Sequence, residues 1–160
     1  MERIYLAGGC FWGMQKYFDT KAGVVRTEVG YANGPEGSGD PTYEQVCNDS
    51  GHAECIMVDF DENEISLPEI LRLFFRVIDP LSVNRQGEDS GVQYRTGVYW
   101  NNESQKEQVE MVFSEISEQI GSYPVTEKGP IRNFFPAEEY HQKYLDKNPG
   151  GYCHIPRELF

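Results

Sequence analysis

The sequence predicts an α+β fold: a two-layer sandwich with a central mixed, mainly antiparallel sheet of the ferredoxin-like type, flanking helices and long loops. Three observations lead there. Segments that alternate like strands and segments with a helical apolar stripe are interspersed, without the regular βαβ rhythm of a parallel sheet. The longest connections are rich in Gly, Pro and polar residues. No internal repeat and no inter-domain linker interrupts the 160 residues, so one domain over 1–160 is expected.

In chain order, "RIYLAGG" reads as a short strand running into a glycine turn. "CFWGMQKYFDT" follows as a helix, with Met14, Tyr17 and Phe18 at helical spacing. "VVRTEVGYA" is a second strand, and the loop "NGPEGSGDP" after it is too rich in Gly and Pro to be regular. "TYEQVCND" reads as a helical turn and "HAECIMVDF" alternates as a strand. "SLPEILRLFFRVID" is the clearest helix, opened by a Ser66/Glu69 capping pattern, striped by Ile70, Leu71, Phe74, Phe75 and Ile78, and stopped at Pro80.

A polar loop, "PLSVNRQGEDSGVQ", leads into the strand "YRTGVYW". A helix through Val109, Val112, Phe113, Ile116 and Ile120 ends at Gly121 as its C-cap. "PVTEKGPI" is expected as a last strand and "AEEYHQKYLDKN" as a last helix. Residues 148–160, "NPGGYCHIPRELF", have no period and read as a flexible tail.

Composition narrows the function. The chain is 39% hydrophobic and 13% aromatic, the profile of a folded domain. Lys and Arg number 14 against 26 Asp and Glu, a net charge of −12 that argues against nucleic acid and anionic membrane surfaces as partners. No apolar run approaches the ~20 residues of a membrane helix. The start, "MERIYLAGG", lacks the basic and apolar regions of a signal peptide, so a cytoplasmic location is expected.

The four cysteines, Cys10, Cys47, Cys55 and Cys153, show no C-x-x-C spacing, so a structural zinc site is not expected. In a reducing compartment four free thiols follow, a description that suits Cys47 and Cys55 better than Cys10 and Cys153.

Cys10 stands out because it falls where the first strand hands over to a helix. Free amides and the dipole at a helix N-terminus favour a thiolate, so its pKa is expected to be lowered. Gly8 and Gly9 permit a sharp turn. Phe11 and Trp12 point about 100° apart on a helix and cannot both face inward, so at least one should line an apolar cavity beside the sulfur. Strand alternation puts Glu54 on the apolar face with Ile56, Val58 and Phe60. If buried there it would hold a proton near neutral pH; at the strand end it could instead reach water. Tyr43, Asp89 and Tyr94 lie in or beside loops, free to address a ligand. His52, His141 and His154 read as surface or hydrogen-bonded histidines.

Taken together, "GCFWG", "PTYEQVC", "GHAE", "NRQGEDSGVQYRTGVY" and "NPGGYCHI" resemble the peptide methionine sulfoxide reductase A family, in the expected order and over nearly the whole chain. The resemblance implies reduction of the S epimer of methionine sulfoxide, free or in proteins. It implies Cys10 as nucleophile, Phe11 and Trp12 as the pocket for the substrate methyl, and Glu54 as the acid that protonates the sulfoxide oxygen. Tyr43 and Tyr94 would hydrogen-bond that oxygen, Asp89 would orient substrate, and Cys153 would resolve a Cys10 sulfenic acid into a disulfide that thioredoxin reduces. The chemistry so implied requires no metal and no organic cofactor. The only cysteine after the core is Cys153, so a second recycling disulfide is not expected. The A-type half of chains that fuse A and B reductases is a further resemblance, and a monomer is expected.

Two rival readings stay open on sequence. A cysteine hydrolase would pair Cys10 with His52 as base. A peptide-binding module would use the aromatic pocket without chemistry.

Overall fold

The computed structural model describes residues 1–35, 39–48, 50–86, 89–156 and 159–160. Its centre is a six-stranded sheet. Strands β1 (Glu2–Gly8), β2 (Val24–Ala32), β3 (Ala53–Phe60), β6 (Thr96–Trp100), β7 (Glu127–Pro130) and β8 (Phe134–Pro136) lie in the order β7-β6-β1-β3-β2-β8. Every neighbouring pair is antiparallel except β6 and β7, which run parallel. The expected mixed, mainly antiparallel sheet is therefore what forms.

Period-2 alternation sorts the sheet into two faces. Ile4 and Leu6, Val29 and Tyr31, Ile56 and Val58, and Val98 all turn toward the helices. Helices α1 (Phe11–Asp19), α3 (Leu67–Phe75) and α4 (Glu103–Ile120) meet them with Phe11, Met14 and Phe18, with Ile70, Leu71 and Phe74, and with Val109, Val112 and Phe113. The intervening residues, Tyr5, Ala7, Cys55, Met57 and Tyr99, form the opposite face, against which Ile131 and Phe134 pack.

Local signals set most helix ends. Ser66 caps α3 by accepting from the Glu69 amide at 3.3 Å, while its hydroxyl pairs with the Glu69 carboxyl at 3.0 Å. That helix stops at Phe75, short of the expected Pro80. Gly121 ends α4 in the left-handed region at φ 77°, as expected. A short α2 (Tyr43–Cys47) opens on a full capping box between Thr42 and Gln45.

Three segments differ from the sequence reading. The polar loop contains a two-stranded hairpin, β4 (Arg85–Gln86) with β5 (Asp89–Ser90), and a 3-10 turn at Val92–Tyr94. Part of that loop, and part of the Gly/Pro loop at 33–41, lies outside the described residues. Strand β8 was not foreseen, being only three residues long and ending in proline.

The expected helix over "AEEYHQKYLDKN" is broken into a 3-10 turn at Glu139–His141 and a short α5 (Tyr144–Lys147). The cause is tertiary. The Gln142 side chain pairs with both main-chain groups of Val29 on β2, at 3.0 and 2.9 Å, and the Lys143 amide donates to Gln15 Oε1 at 2.7 Å. Lys143 is thereby held at φ 56°, outside the helical region. No helix among the described residues is long and apolar enough to cross a membrane.

Candidate active site

One end of the sheet collects the predicted residues. Register aligns Gly8, the last residue of β1, with Thr96 at the start of β6, and Tyr31 near the end of β2 with Glu54 near the start of β3. Cys10 follows β1 by two residues and is the N-cap of α1. Gly9, at φ 87°, makes the turn between them, and a Cβ there would sit 2.7 Å from Gln86 Cβ.

Glu54 is 1% exposed, which settles the choice left open by the strand pattern. Its Oε1 accepts from the Phe11 main-chain amide at 3.2 Å, while Oε2 is buried without a hydrogen-bond partner among the described residues. Burial pushes the carboxyl up to about 8; the Phe11 amide works against that shift and the charge of Asp89 adds to it. The group is thus a neutral acid around pH 7.

Cys10 departs from expectation. It is 7% exposed, and burial, followed by the charge of Glu54, drives its thiol well above the ordinary range; the bond from the Trp12 amide opposes this. The expected lowering fails because desolvation outweighs the dipole of a nine-residue helix.

Phe11 and Trp12 do point different ways. Phe11 is buried, its ring 5.3 Å from His141, 5.8 Å from Tyr31 and 6.5 Å from Tyr43. Trp12 is half-buried, stacked on Tyr144 with centroids 3.9 Å apart and planes 13° from parallel. The Trp12 indole N–H donates to His141 Nδ1 at 3.0 Å.

Tyr43, at the start of α2, has its ring 4.3 Å from that of His141. Its amide donates to Glu138 Oε2 at 3.1 Å, and the Tyr31 hydroxyl donates to Oε1 of the same carboxylate at 2.7 Å. Burial works against that carboxylate, but these bonds keep Glu138 below the usual carboxyl range. Tyr94 closes the 3-10 turn before β6. Both phenols, Tyr43 and Tyr94, are raised by burial and then by the charge of Glu54, so the three groups share one space.

The tail lies across this end of the sheet. Tyr152 donates to Asp89 Oδ2 at 3.0 Å. Cys153 Sγ sits over α1, only 2.9 Å from where a Cβ on Gly13 would lie. His154 Nε2 bonds the Gly8 carbonyl at 3.0 Å, Ile155 is buried, and Leu159 and Phe160 pack on the main core. Cys153 also lines a cavity of about 350 Å³, with Lys16, Leu145, Asp146, Pro149 and Phe160.

All eight predicted site residues therefore meet at one end of the sheet. Sequence reasoning missed the residues that hold them there: Glu138, His141, Tyr144 and Tyr152. For Glu138, His141 and Tyr144 the one signal was the density of Tyr, His and Glu in "AEEYHQKY"; Tyr152 lies in "NPGGYCHI", read only for its cysteine. His52, the base a hydrolase would need, pairs through Nδ1 with Ser50 Oγ at 2.9 Å and covers Gly34 with its ring. Cys55 is buried on the opposite face of the sheet and Cys47 is exposed on α2.

The chain matches the family described as peptide methionine sulfoxide reductase over residues 2–160. A relative from Clostridium acetobutylicum, described as peptide methionine sulfoxide reductase MsrA, is 50% identical over 99% of this chain and 98% of its own length. Mxr1 from Saccharomyces cerevisiae in reduced form superposes with a TM-score of 0.92 at 38% identity, covering 97% of this chain and 91% of that one. The structure of Mxr1 in complex with Trx2 aligns at a TM-score of 0.64 and 27% identity, over 89% and 84% of the two chains. This chain belongs to the peptide methionine sulfoxide reductase family, on its MsrA side, and is an oxidoreductase.

Proposed function

We propose that the enzyme reduces the S epimer of methionine sulfoxide, free or in proteins, through a sulfenic acid on Cys10 and then a Cys10–Cys153 disulfide. The observation that carries this reading is the buried Glu54 carboxyl, protonated around pH 7, with one oxygen bound to the Phe11 amide and the other without a partner among the described residues. A sulfoxide oxygen is a strong acceptor, and seated against Glu54 Oε2 it would complete that bond. Tyr43 and Tyr94 add phenol donors in the same space, and Phe11 and Trp12 an apolar wall for the methyl group.

Protonating the oxygen makes the sulfur electrophilic, and Cys10 Sγ attacks it. Thiol plus sulfoxide gives sulfenic acid plus methionine, so the first step needs no outside proton. In the resting enzyme both Cys10 and Glu54 hold their protons. Once Glu54 has donated, its carboxylate is the base at hand for the thiol proton, and the two pKa shifts need not be opposed. Cys153 then condenses with the sulfenic acid, forming the S–S bond and releasing water. Reduction of that bond is assigned to thioredoxin, on the resemblance and on the Mxr1 complex with Trx2. Cys153 lines a cavity at the surface of α1, which supports an approach to it by a partner.

Stereochemistry follows from three fixed points around a pyramidal sulfur: oxygen at Glu54, methyl at the aromatics, nucleophile at Cys10. Such a site takes one hand, and the family resemblance, with one reductase established per epimer, makes it the S form. The test is thiol-driven reduction assayed separately on the two epimers. Methionine from the S epimer alone is expected; equal rates on both, or none on S, would overturn the assignment.

A further inference from the structure

The most informative unexplained group near the site is His154. Its Nε2 bonds the Gly8 carbonyl, which can only accept, so Nε2 carries the ring proton. Nδ1 is then a lone pair, and it is buried without a hydrogen-bond partner among the described residues. A Cβ built on Gly13 would lie 2.9 Å from Cys153 Sγ and 3.5 Å from His154 Nδ1, so both atoms crowd over the same point of the first turn of α1. One built on Gly9 would lie 3.4 Å from His154 Nε2. The ring thus bridges the backbone on both sides of Cys10, next to the residue that must react with it.

We infer that His154 carries the proton in the second chemical step, the closure of the Cys10–Cys153 disulfide. This inference rests on the reading of Cys153 as the resolving cysteine. That step has two proton requirements. The attacking thiol must lose its proton, and a thiol of ordinary pKa ~8.5 is mostly protonated at neutral pH. The hydroxyl of the sulfenic acid must gain one to leave as water. Nδ1 accepts the Cys153 proton, the thiolate attacks Cys10 sulfur, and the imidazolium returns the proton to the departing hydroxide. One S–S bond forms, one S–O bond breaks, one water leaves, and the imidazole ends neutral.

The surroundings suit a neutral base. Among the described residues, the titratable groups facing His154 are Asp89 on β5 and the thiol of Cys153. Burial lowers the imidazole below its ordinary range, against the opposing effects of Asp89 and the Gly8 bond, so it is unprotonated at pH 7. In the reduced protein Cys153 Sγ points to the Ile155 carbonyl at 3.4 Å, so a rotation about its side chain must precede the transfer.

The test is the rate of Cys10–Cys153 bond formation after one turnover on methionine sulfoxide, read by acid quench and mass spectrometry across pH. In the wild type the rate should level off above the imidazole pKa. His154→Gln retains an N–H for the Gly8 carbonyl but has no base. It should release methionine in its first turnover, showing that it is folded, then close the disulfide on the order of 10²-fold more slowly at pH 7. Its rate should climb with pH up to the ordinary thiol range, without the plateau. A Gln variant with the wild-type rate, or one that is slower with the plateau intact, would overturn the inference, the second outcome marking His154 as an anchor of the tail. Absence of the Cys10–Cys153 bond in the wild type would instead count against Cys153 itself.

Discussion

The Phe11 main-chain amide donates to Glu54 Oε1 across 3.2 Å, joining the first turn of α1 to the start of β3. This bond places a buried acid against the helix whose N-cap is Cys10. It also fixes which carboxyl oxygen is spent on the fold, while Oε2 has no hydrogen-bond partner among the described residues.

Glu54→Gln should slow methionine formation by roughly 10²–10⁴-fold, the usual loss when a general acid is removed. In the wild type the same step should weaken as pH rises through about 8, where Glu54 loses its proton. Pre-steady-state rates across pH check both.

The same substitution should raise stability in base. An unfolded glutamate titrates near ~4.3, so between there and about 8 only the folded state keeps the proton. Stability from this group is full below the lower value and is lost as pH climbs to the upper one. Glu54→Gln removes that slope and should exceed the wild type at pH 8, on the order of 4 kcal/mol in urea unfolding.

Phe11 and Trp12 are sequence neighbours with different expected costs. Phe11→Ala empties a fully buried site and should cost about 3–5 kcal/mol. Trp12→Ala removes a half-buried ring stacked on Tyr144. It should cost less in stability and lower kcat/KM for methionine sulfoxide, a split visible by pairing unfolding curves with steady-state kinetics.

Gly13→Ala should separate the two chemical steps. The new methyl group would meet Cys153 Sγ at 2.9 Å and push the tail off α1. Methionine release in the first turnover should persist while disulfide closure slows, as followed by quenched mass spectrometry.

Much of this was legible in the sequence, and the failures share a cause. α3 and α4 announce themselves by period because each buries one face, whereas β1 and β3 are short apolar segments buried on both faces. The last helix is broken because Gln142, 113 residues from Val29 in sequence, binds the main chain of β2. β8 depends on close approach: a Cβ on Gly30 would come within 2.5 Å of Phe134 and Phe135 atoms. At the site, motif and strand face were enough to single out Cys10 and Glu54 as candidates. The direction of the Cys10 shift was not legible, since it depends on how fully β3 and distant segments bury the thiol. His141 carried no periodic signal, yet it joins the rings of Phe11, Trp12 and Tyr43.

The most direct test of the account is a single turnover of the reduced enzyme on the S epimer of methionine sulfoxide, without reductant. The products are methionine, counted per enzyme, and cysteine linkages mapped by mass spectrometry. About one methionine per enzyme and a Cys10–Cys153 disulfide are expected, with Cys47 and Cys55 still free thiols. Methionine released with Cys10 bonded to Cys47 or Cys55, or with Cys10 unmodified, would contradict it.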